Sequence, residues 1–278
     1  MRQCKEFEAW TTVAGIMKKT GCGASQVWGA ERMLREGAFE NPKPNAVFGL
    51  HVMPNPSGLL GWHKGGATAS SDTLHIIVKG VQTHGAMPWM GKDPVTVAAE
   101  IVVALQTIPS RQMNISKAPS IVSIGSIHGG VRSNVIPNEV EMEGTIRVLD
   151  PAQREDFLER ITKVARLTAE ASGLEADVQI DRGYGVTVND AALIDQMLPS
   201  LRRVSTTEET PATLASEDFS YFAKDVPGFF FTLGVNAPGM DPARAPANHS
   251  PNFTVNEDTL VVGVKAMASV AVDFLTAH

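Results

Sequence analysis

A chain of 278 residues with 43% hydrophobic and 19% charged side chains has the balance of a globular protein and the length for two domains. Its 30 acidic against 24 basic residues give a formal charge of -6, which argues against a nucleic-acid surface. A membrane span needs roughly eighteen consecutive apolar residues, and no such run is present, so no span is expected. The opening Met1-Arg2-Gln3-Cys4-Lys5-Glu6 lacks the apolar centre of a secretory leader, and with only Cys4 and Cys22 a reducing, cytoplasmic setting is the simplest expectation.

In chain order, the apolar run from Ala46 to Val52 predicts a buried strand, and Gly58 to Gly66 a second one bounded by glycines, together part of an open sheet. From about Ala69 to Asp181 the pattern becomes strand, helix, strand, strand, helix, strand. Leu74, Ile76 and Val78 share one strand face. Asp93-Pro94 then opens a helix with an N-cap and an N1 proline, its stripe formed by Val97, Ile101 and Leu105. Ile121 to Ile127 is the next strand. Val140, Met142, Gly144, Ile146 and Val148 oppose Glu139, Glu141, Glu143, Thr145 and Arg147, as expected of a strand with one wet face. Asp150-Pro151 with Gln153 predicts a capping box for a second helix ending near Gly173. The order is ferredoxin-like, a small α+β sandwich.

From Arg182 onward the pattern predicts helices over Ala191 to Val204 and Ser216 to Lys224, a buried strand Gly228 to Val235, and a closing helix Glu257 to Ala277. Leu260, Val264, Met267 or Ala268, Ala271 and Leu275 mark a stripe on that last helix. The expected division is therefore 1–68, 69–181 and 182–278, the outer stretches building one domain around an inserted middle one.

Two histidines are candidate metal ligands: His51 in Gly49-Leu50-His51-Val52 and His249 in Asn248-His249-Ser250-Pro251. Each follows an apolar or small stretch and precedes a turn, a position where a neutral imidazole can reach a cation at the lip of a cleft. They stand among further phrases, Gly37-Ala38-Phe39-Glu40, His84-Gly85-Ala86-Met87-Pro88-Trp89, Ser133-Asn134-Val135-Ile136-Pro137, Gly144-Thr145-Ile146-Arg147 and Ser216-Glu217-Asp218-Phe219-Ser220. In this order and spacing, from about Gly29 to His278, the chain resembles the M20 metallopeptidases and amidohydrolases, in the branch of hippurate hydrolases, N-acyl-amino-acid amidohydrolases and related carboxypeptidases.

The resemblance implies an α/β fold, a partial open-sheet metallohydrolase domain carrying an inserted ferredoxin-like α+β lid and dimerisation domain. It implies a homodimer that cleaves the amide bond of N-acyl amino acids or small peptides with two divalent ions (zinc, manganese, cobalt or nickel). Carried over residue by residue, His51 and His249 are metal ligands, His84 steadies the oxyanion of the partner subunit's site, and Asn134 and Arg147 contact the substrate's backbone and free carboxylate. A guanidinium suits that last task because it grips a carboxylate through two parallel bonds. Bland roles stand beside these: His84 and Asn134 shaping turns, and Arg147 in a surface ion pair with Glu141 or Glu143. His63, His75 and His128 read as structural or solvent-facing, Glu217 and Asp218 as orienting a helix start through backbone amides, and Trp89 and Phe229 to Phe231 as packing.

The family pattern also has an upstream Cys-Gly-His motif and a Glu-Glu pair, which supply metal ligands and a general base. Cys22-Gly23-Ala24 does not match the first, and Trp10 to Lys19 stands where the second is expected. Glu6, Glu8 and Glu31 are not assignable as substitutes. The expectation is an N-terminally truncated chain whose first 28 or so residues come from a shifted reading frame or a divergent start. Three readings follow: a metal-dependent amidohydrolase, a catalytically silent homologue that keeps dimerisation and weak ligand binding, and a structural module with no pocket.

Overall fold

The computed structural model describes residues 29–277; Cys4, Glu6, Glu8, the Trp10 to Lys19 stretch and Cys22-Gly23-Ala24 lie outside the described residues. In chain order the elements are α1 (Gly29–Arg35), β1 (Val47–Met53), β2 (Leu60–Trp62), β3 (Gly65–Thr68), β4 (Asp72–Lys79), β5 (Thr83–His84), α2 (Pro94–Thr107), β6 (Ser120–His128), β7 (Val135–Ile136), β8 (Glu139–Val148), α3 (Pro151–Ala171), β9 (Glu175–Arg182), β10 (Thr187–Asn189), α4 (Ala191–Val204), β11 (Thr207–Glu209), α5 (Phe219–Asp225), β12 (Gly228–Gly234) and α6 (Leu260–Ala277). They fall into two compact units. One holds the described residues up to Ala67 with Thr187–Ala212 and Glu217 onward, and the other holds Thr68–Val186 with Thr213–Ser216.

The second unit is a four-stranded sheet in the order β6-β8-β4-β9, antiparallel throughout. Alternation dictates its two faces: Leu74, Ile76, Val78, Val122, Val140, Met142 and Ile146 are buried against Val97, Ile101 and Leu105 of α2 and Phe157 and Ile161 of α3. Each of those large side chains stabilises the fold by about 1.5–3 kcal/mol through removal from water. Both helices start as their sequences dictate. Asp93 accepts a bond from Val95 N at 2.8 Å ahead of Pro94, and Asp150 accepts from Gln153 N at 2.8 Å ahead of Pro151. The expected reciprocal half of the Asp150 box is not made: Gln153 is buried, and its amide donates to Asn114 O at 3.5 Å instead. The helix then stops because Gly173, at φ 69°, turns left-handed and Leu174 N bonds back to Ala169 O.

One polar lock sits inside this unit. Asp72 is fully buried and takes both Nε and Nη2 of Arg154, whose side chain is 12% exposed, and also the backbone N–H of Gly183 at 3.2 Å. It joins the start of β4 to α3 and to the end of β9.

The first unit holds a mixed sheet in the order β1-β12-β2-β11, with β1 parallel to β12 and β12 antiparallel to β2. Phe229, Phe231 and Leu233 of β12 lie under Leu193, Ile194, Met197 and Leu201 of α4 and Ala266 and Val270 of α6. The single strand expected over Gly58 to Gly66 is two, β2 and β3, because Gly65 at φ 77° breaks the line of the chain. The α5 helix begins at Phe219, three residues later than its sequence pattern suggests, since Ser216 to Asp218 form the approach to it.

On α6 the buried side is not the expected one. Leu260, Val264 and Leu275 face outward, the last 75% exposed, while Gly263, Ala266 and Val270 face the core. Small size favours this side: a Cβ on Gly263 would lie 3.0 Å from Leu233 Cδ2 and 3.5 Å from Leu50 Cδ1, so a larger residue would require those side chains to shift. With its preceding turn, Glu257–Ala277 is one helix long and apolar enough to cross a membrane, at a mean hydropathy of 1.7, although the residue string is broken by Gly263 and Lys265.

Candidate functional site

His51 lies near the carboxyl end of β1, half-buried, beside the Phe230 ring at a centroid distance of 6.4 Å. Its Nδ1 is 2.7 Å from the carbonyl oxygen of Val52. A carbonyl only accepts, so Nδ1 carries the proton and Nε2 keeps its lone pair free. The same Val52 oxygen accepts a second bond, from Asn248 Nδ2 at 2.9 Å. Asn248 precedes His249, whose φ of 66° is the one positive value among the described non-glycine residues. The shared acceptor thus ties the turn that carries His249 to the end of the strand that carries His51.

Glu217 belongs to the same unit. Burial pushes its carboxyl above the usual range, the neighbouring Asp218 charge raises it further, and His51 opposes both. The Glu217 side chain accepts from Asp218 N at 3.0 Å, and Asp218 Oδ2 accepts from Ala30 N at 2.9 Å. The sequence pattern has Asp218 orienting the helix it precedes; it makes no such cap and instead satisfies the first turn of α1. A raised carboxyl binds its proton in the folded state where the unfolded chain has lost it. Stability therefore falls as pH rises from the ordinary glutamate value of 4.5 through the raised value. Glu217→Gln should raise the thermal midpoint at neutral pH, with the difference from the parent closing below the ordinary glutamate value. A midpoint difference that stays constant across that window would show the carboxyl is not held out of water.

The other three candidates lie in the second unit. His84 closes β5, which pairs with β7 in the register His84↔Val135, and Gly85 N bonds to Asn134 O at 2.7 Å, so His84 and Asn134 are adjacent. His84 Nδ1 is 3.0 Å from Ala86 N, a donor. Nδ1 must therefore be the accepting nitrogen, which leaves Nε2–H as a free donor, opposite in sense to His51. Both residues do shape their turn. Arg147 on β8 does not pair with Glu141 or Glu143; its Nη1 donates to Ser216 Oγ at 3.3 Å.

Of the side chains read as structural, His63 Nδ1 bonds Thr210 O at 2.8 Å and His75 Nε2 lies 3.5 Å from Asp181. Phe229 to Phe231 are buried as expected, but Trp89 is 75% exposed and packs no core. The contribution of Asn248 escapes sequence reasoning, and so does the burial of Glu217, which the sequence reads only as orienting a helix start. The available signal is position alone: an amide next to one candidate ligand and a carboxylate beside a helix start.

The residues the sequence offers to a metal ion are His51 and His249. His51 has the posture of a ligating histidine, one nitrogen held by a carbonyl and the other free. Among the described residues, however, no group of three or more His, Cys, Asp or Glu side chains is placed to hold an ion.

Residues 66–172 match the model of the peptidase dimerisation domain of M20 enzymes. The chain is 33% identical over 248 residues to thermostable carboxypeptidase 2 of Saccharolobus solfataricus, a match covering 88% of this chain and 62% of that protein. The chain belongs to the M20 family. It is also 33% identical over 209 residues to N-acetyldiaminopimelate deacetylase of Exiguobacterium sibiricum, covering 75% of this chain and 56% of the relative. A solved M20 structure, a dinuclear metal binding peptidase of Bacillus subtilis, superposes with a TM-score of 0.73 at 28% identity, over 89% of this chain and 62% of its own. The mixed α/β fold is that of these peptidases. This M20 chain spans about three fifths of the length of the curated relatives it matches.

Proposed function

We propose that the residues of this chain serve a metal-dependent amidohydrolase or carboxypeptidase site that cleaves the amide bond of N-acyl amino acids or small peptides. The observation that carries this reading is the Val52 carbonyl shared by His51 Nδ1 and Asn248 Nδ2, which ties the turn carrying His249 to the strand end carrying His51. Relatives named carboxypeptidase and deacetylase support the reaction class. Divalent ions, when bound at His51 and His249, would polarise the scissile carbonyl and make a bound water acidic enough to attack it. Of this chain's own residues, Arg147 offers a planar fork for the substrate's free carboxylate, and Asn134 an amide for its backbone. In the partner subunit's site, His84 would offer Nε2–H to the oxygen that becomes negative as the carbonyl is attacked, and such donors contribute most when pre-aimed.

The test pairs binding with turnover. Hippurate and N-acetyl amino acids are titrated into the protein by calorimetry and assayed for hydrolysis with zinc, manganese, cobalt or nickel. Carboxylate-dependent binding that Arg147→Ala reduces at least tenfold is the expected result, and equal binding of hippurate and its carboxamide would remove the proposal.

A second reading rests on the sequence, where Cys22-Gly23-Ala24 and Trp10 to Lys19 stand in place of the family's Cys-Gly-His and Glu-Glu motifs: this polypeptide keeps recognition and dimerisation but turns over little. Either way the proposed assembly is a homodimer through the second unit, in the reducing, cytoplasmic setting that two cysteines suit. Its β6 is an edge of the sheet, and Val103 of α2, 70% exposed, and Ile127 of β6 add uncovered apolar surface. Val103→Glu combined with Ile127→Asp should shift the protein to monomers in light scattering at micromolar concentration. An unchanged mass would place the contact elsewhere.

A further inference from the structure

A left-handed backbone is costly for any residue with a Cβ, and His249 is the only non-glycine described residue that adopts one. Its neighbours hold it only partly: Ser250 N bonds to Ala247 O at 3.1 Å and Phe253 N to Ser250 O at 3.0 Å, both local to the turn. The tie that reaches outside the turn is Asn248 Nδ2 to Val52 O, between residues 196 apart in sequence. That oxygen already receives His51 Nδ1. One carbonyl with two lone pairs is thereby fully used, one bond fixing the tautomer of the first imidazole and the other fixing the turn that carries the second.

We propose that Asn248 is the positioning residue of the two-imidazole site, its amide pinning the left-handed His249 turn to the carbonyl that also orients His51. The assignment rests on the metal-site reading of His51 and His249, and it adds the residue that sets their relative placement. Asn248 touches no substrate; it acts through Val52. The chemistry demands an N–H donor of asparagine length. Alanine lacks the donor, and aspartate, with the same shape, presents a carboxylate oxygen to a carbonyl oxygen and repels it.

The experiment compares the parent with Asn248→Asp and Asn248→Ala by NMR after selective labelling of the seven histidines. Backbone shifts and HN–Hα couplings report whether His249 keeps its positive φ, and long-range nitrogen–proton correlations report which ring nitrogen of His51 and of His249 is protonated. In the parent, His249 should be left-handed and His51 protonated at Nδ1. Both variants should lose the left-handed signature at His249, with the remaining resonances unmoved as evidence of an intact fold. Competition titration with cobalt should show affinity reduced about tenfold or more, the usual effect of removing a partner that orients a ligand. A left-handed His249 in Asn248→Asp overturns the proposal, because the turn then holds itself. If the parent binds no cobalt while the backbone readout behaves as expected, the metal reading fails and the positioning role of Asn248 stands.

Discussion

Replacing Asp72 with alanine should destabilise the sheet-and-two-helix unit by about 3–5 kcal/mol, the effect of stranding one member of a buried ion pair. The carboxylate is wholly out of water, and it accepts from two nitrogens of Arg154 and from Gly183 N. Without it the guanidinium, 12% exposed, keeps its charge with no counter-charge, and the Gly183 N–H loses its acceptor as well. Asn at position 72 should recover part of the loss, since its oxygen can accept from Gly183 N but brings no charge. The double variant Asp72→Ala with Arg154→Met should be more stable than Asp72→Ala alone, because two uncharged groups leave nothing stranded. Urea unfolding with probes in each unit measures this. A loss under about 1 kcal/mol for Asp72→Ala would mean water reaches the pair, in the range of exposed salt bridges.

Arg154 and Asp72 also mark the limit of what local sequence pattern conveys. The alternation of Leu74, Ile76 and Val78 and of Val140, Met142 and Ile146 is local in sequence, so the residue order by itself marks the sheet's inner face. The Asp93-Pro94 and Asp150-Pro151 starts are equally local, and they hold because the cap bonds span two or three residues. What fails is long-range. Nothing in α6 distinguishes its apolar stripes from one another, since Leu, Val and Ala occur all around it; the side holding Gly263 and Ala266 packs inward beside Leu233 and Leu50, which are distant in sequence. Gln153 has the composition of a capping box, yet its burial gives it another partner. At the site, His51 and His249 are legible as candidates through their phrases, and His84 and Asn134 through theirs. The Val52 carbonyl is not, because a backbone oxygen has no letter in the sequence, and the amide that finds it comes from 196 positions away.

The largest kinetic effect expected is an absence: the chain, supplied with zinc, manganese, cobalt or nickel, should hydrolyse hippurate no faster than its His51→Ala/His249→Ala double variant. A two-ion amide-hydrolysing site needs several protein ligands to hold cations about 3.5–4 Å apart. Two imidazoles supply two nitrogens, and among the described residues no third His, Cys, Asp or Glu joins them to make a group that could hold an ion. The family's Glu-Glu pair has no match in the sequence ahead of Gly29, and without its general base a further factor of roughly 10² to 10⁴ in rate is lost. Glu217 is not counted as a replacement for that base, since its side chain is occupied with Asp218 N. His84 and Arg147 do not restore the rate either, for a donor to an oxyanion accelerates only an attack that a nucleophile has already begun. Ion content measured by mass spectrometry after dialysis should accordingly be well below two per chain, while carboxylate binding through Arg147 persists. Turnover clearly above the double variant, with two ions retained, would show that residues outside 29–277 complete the centre within this same polypeptide.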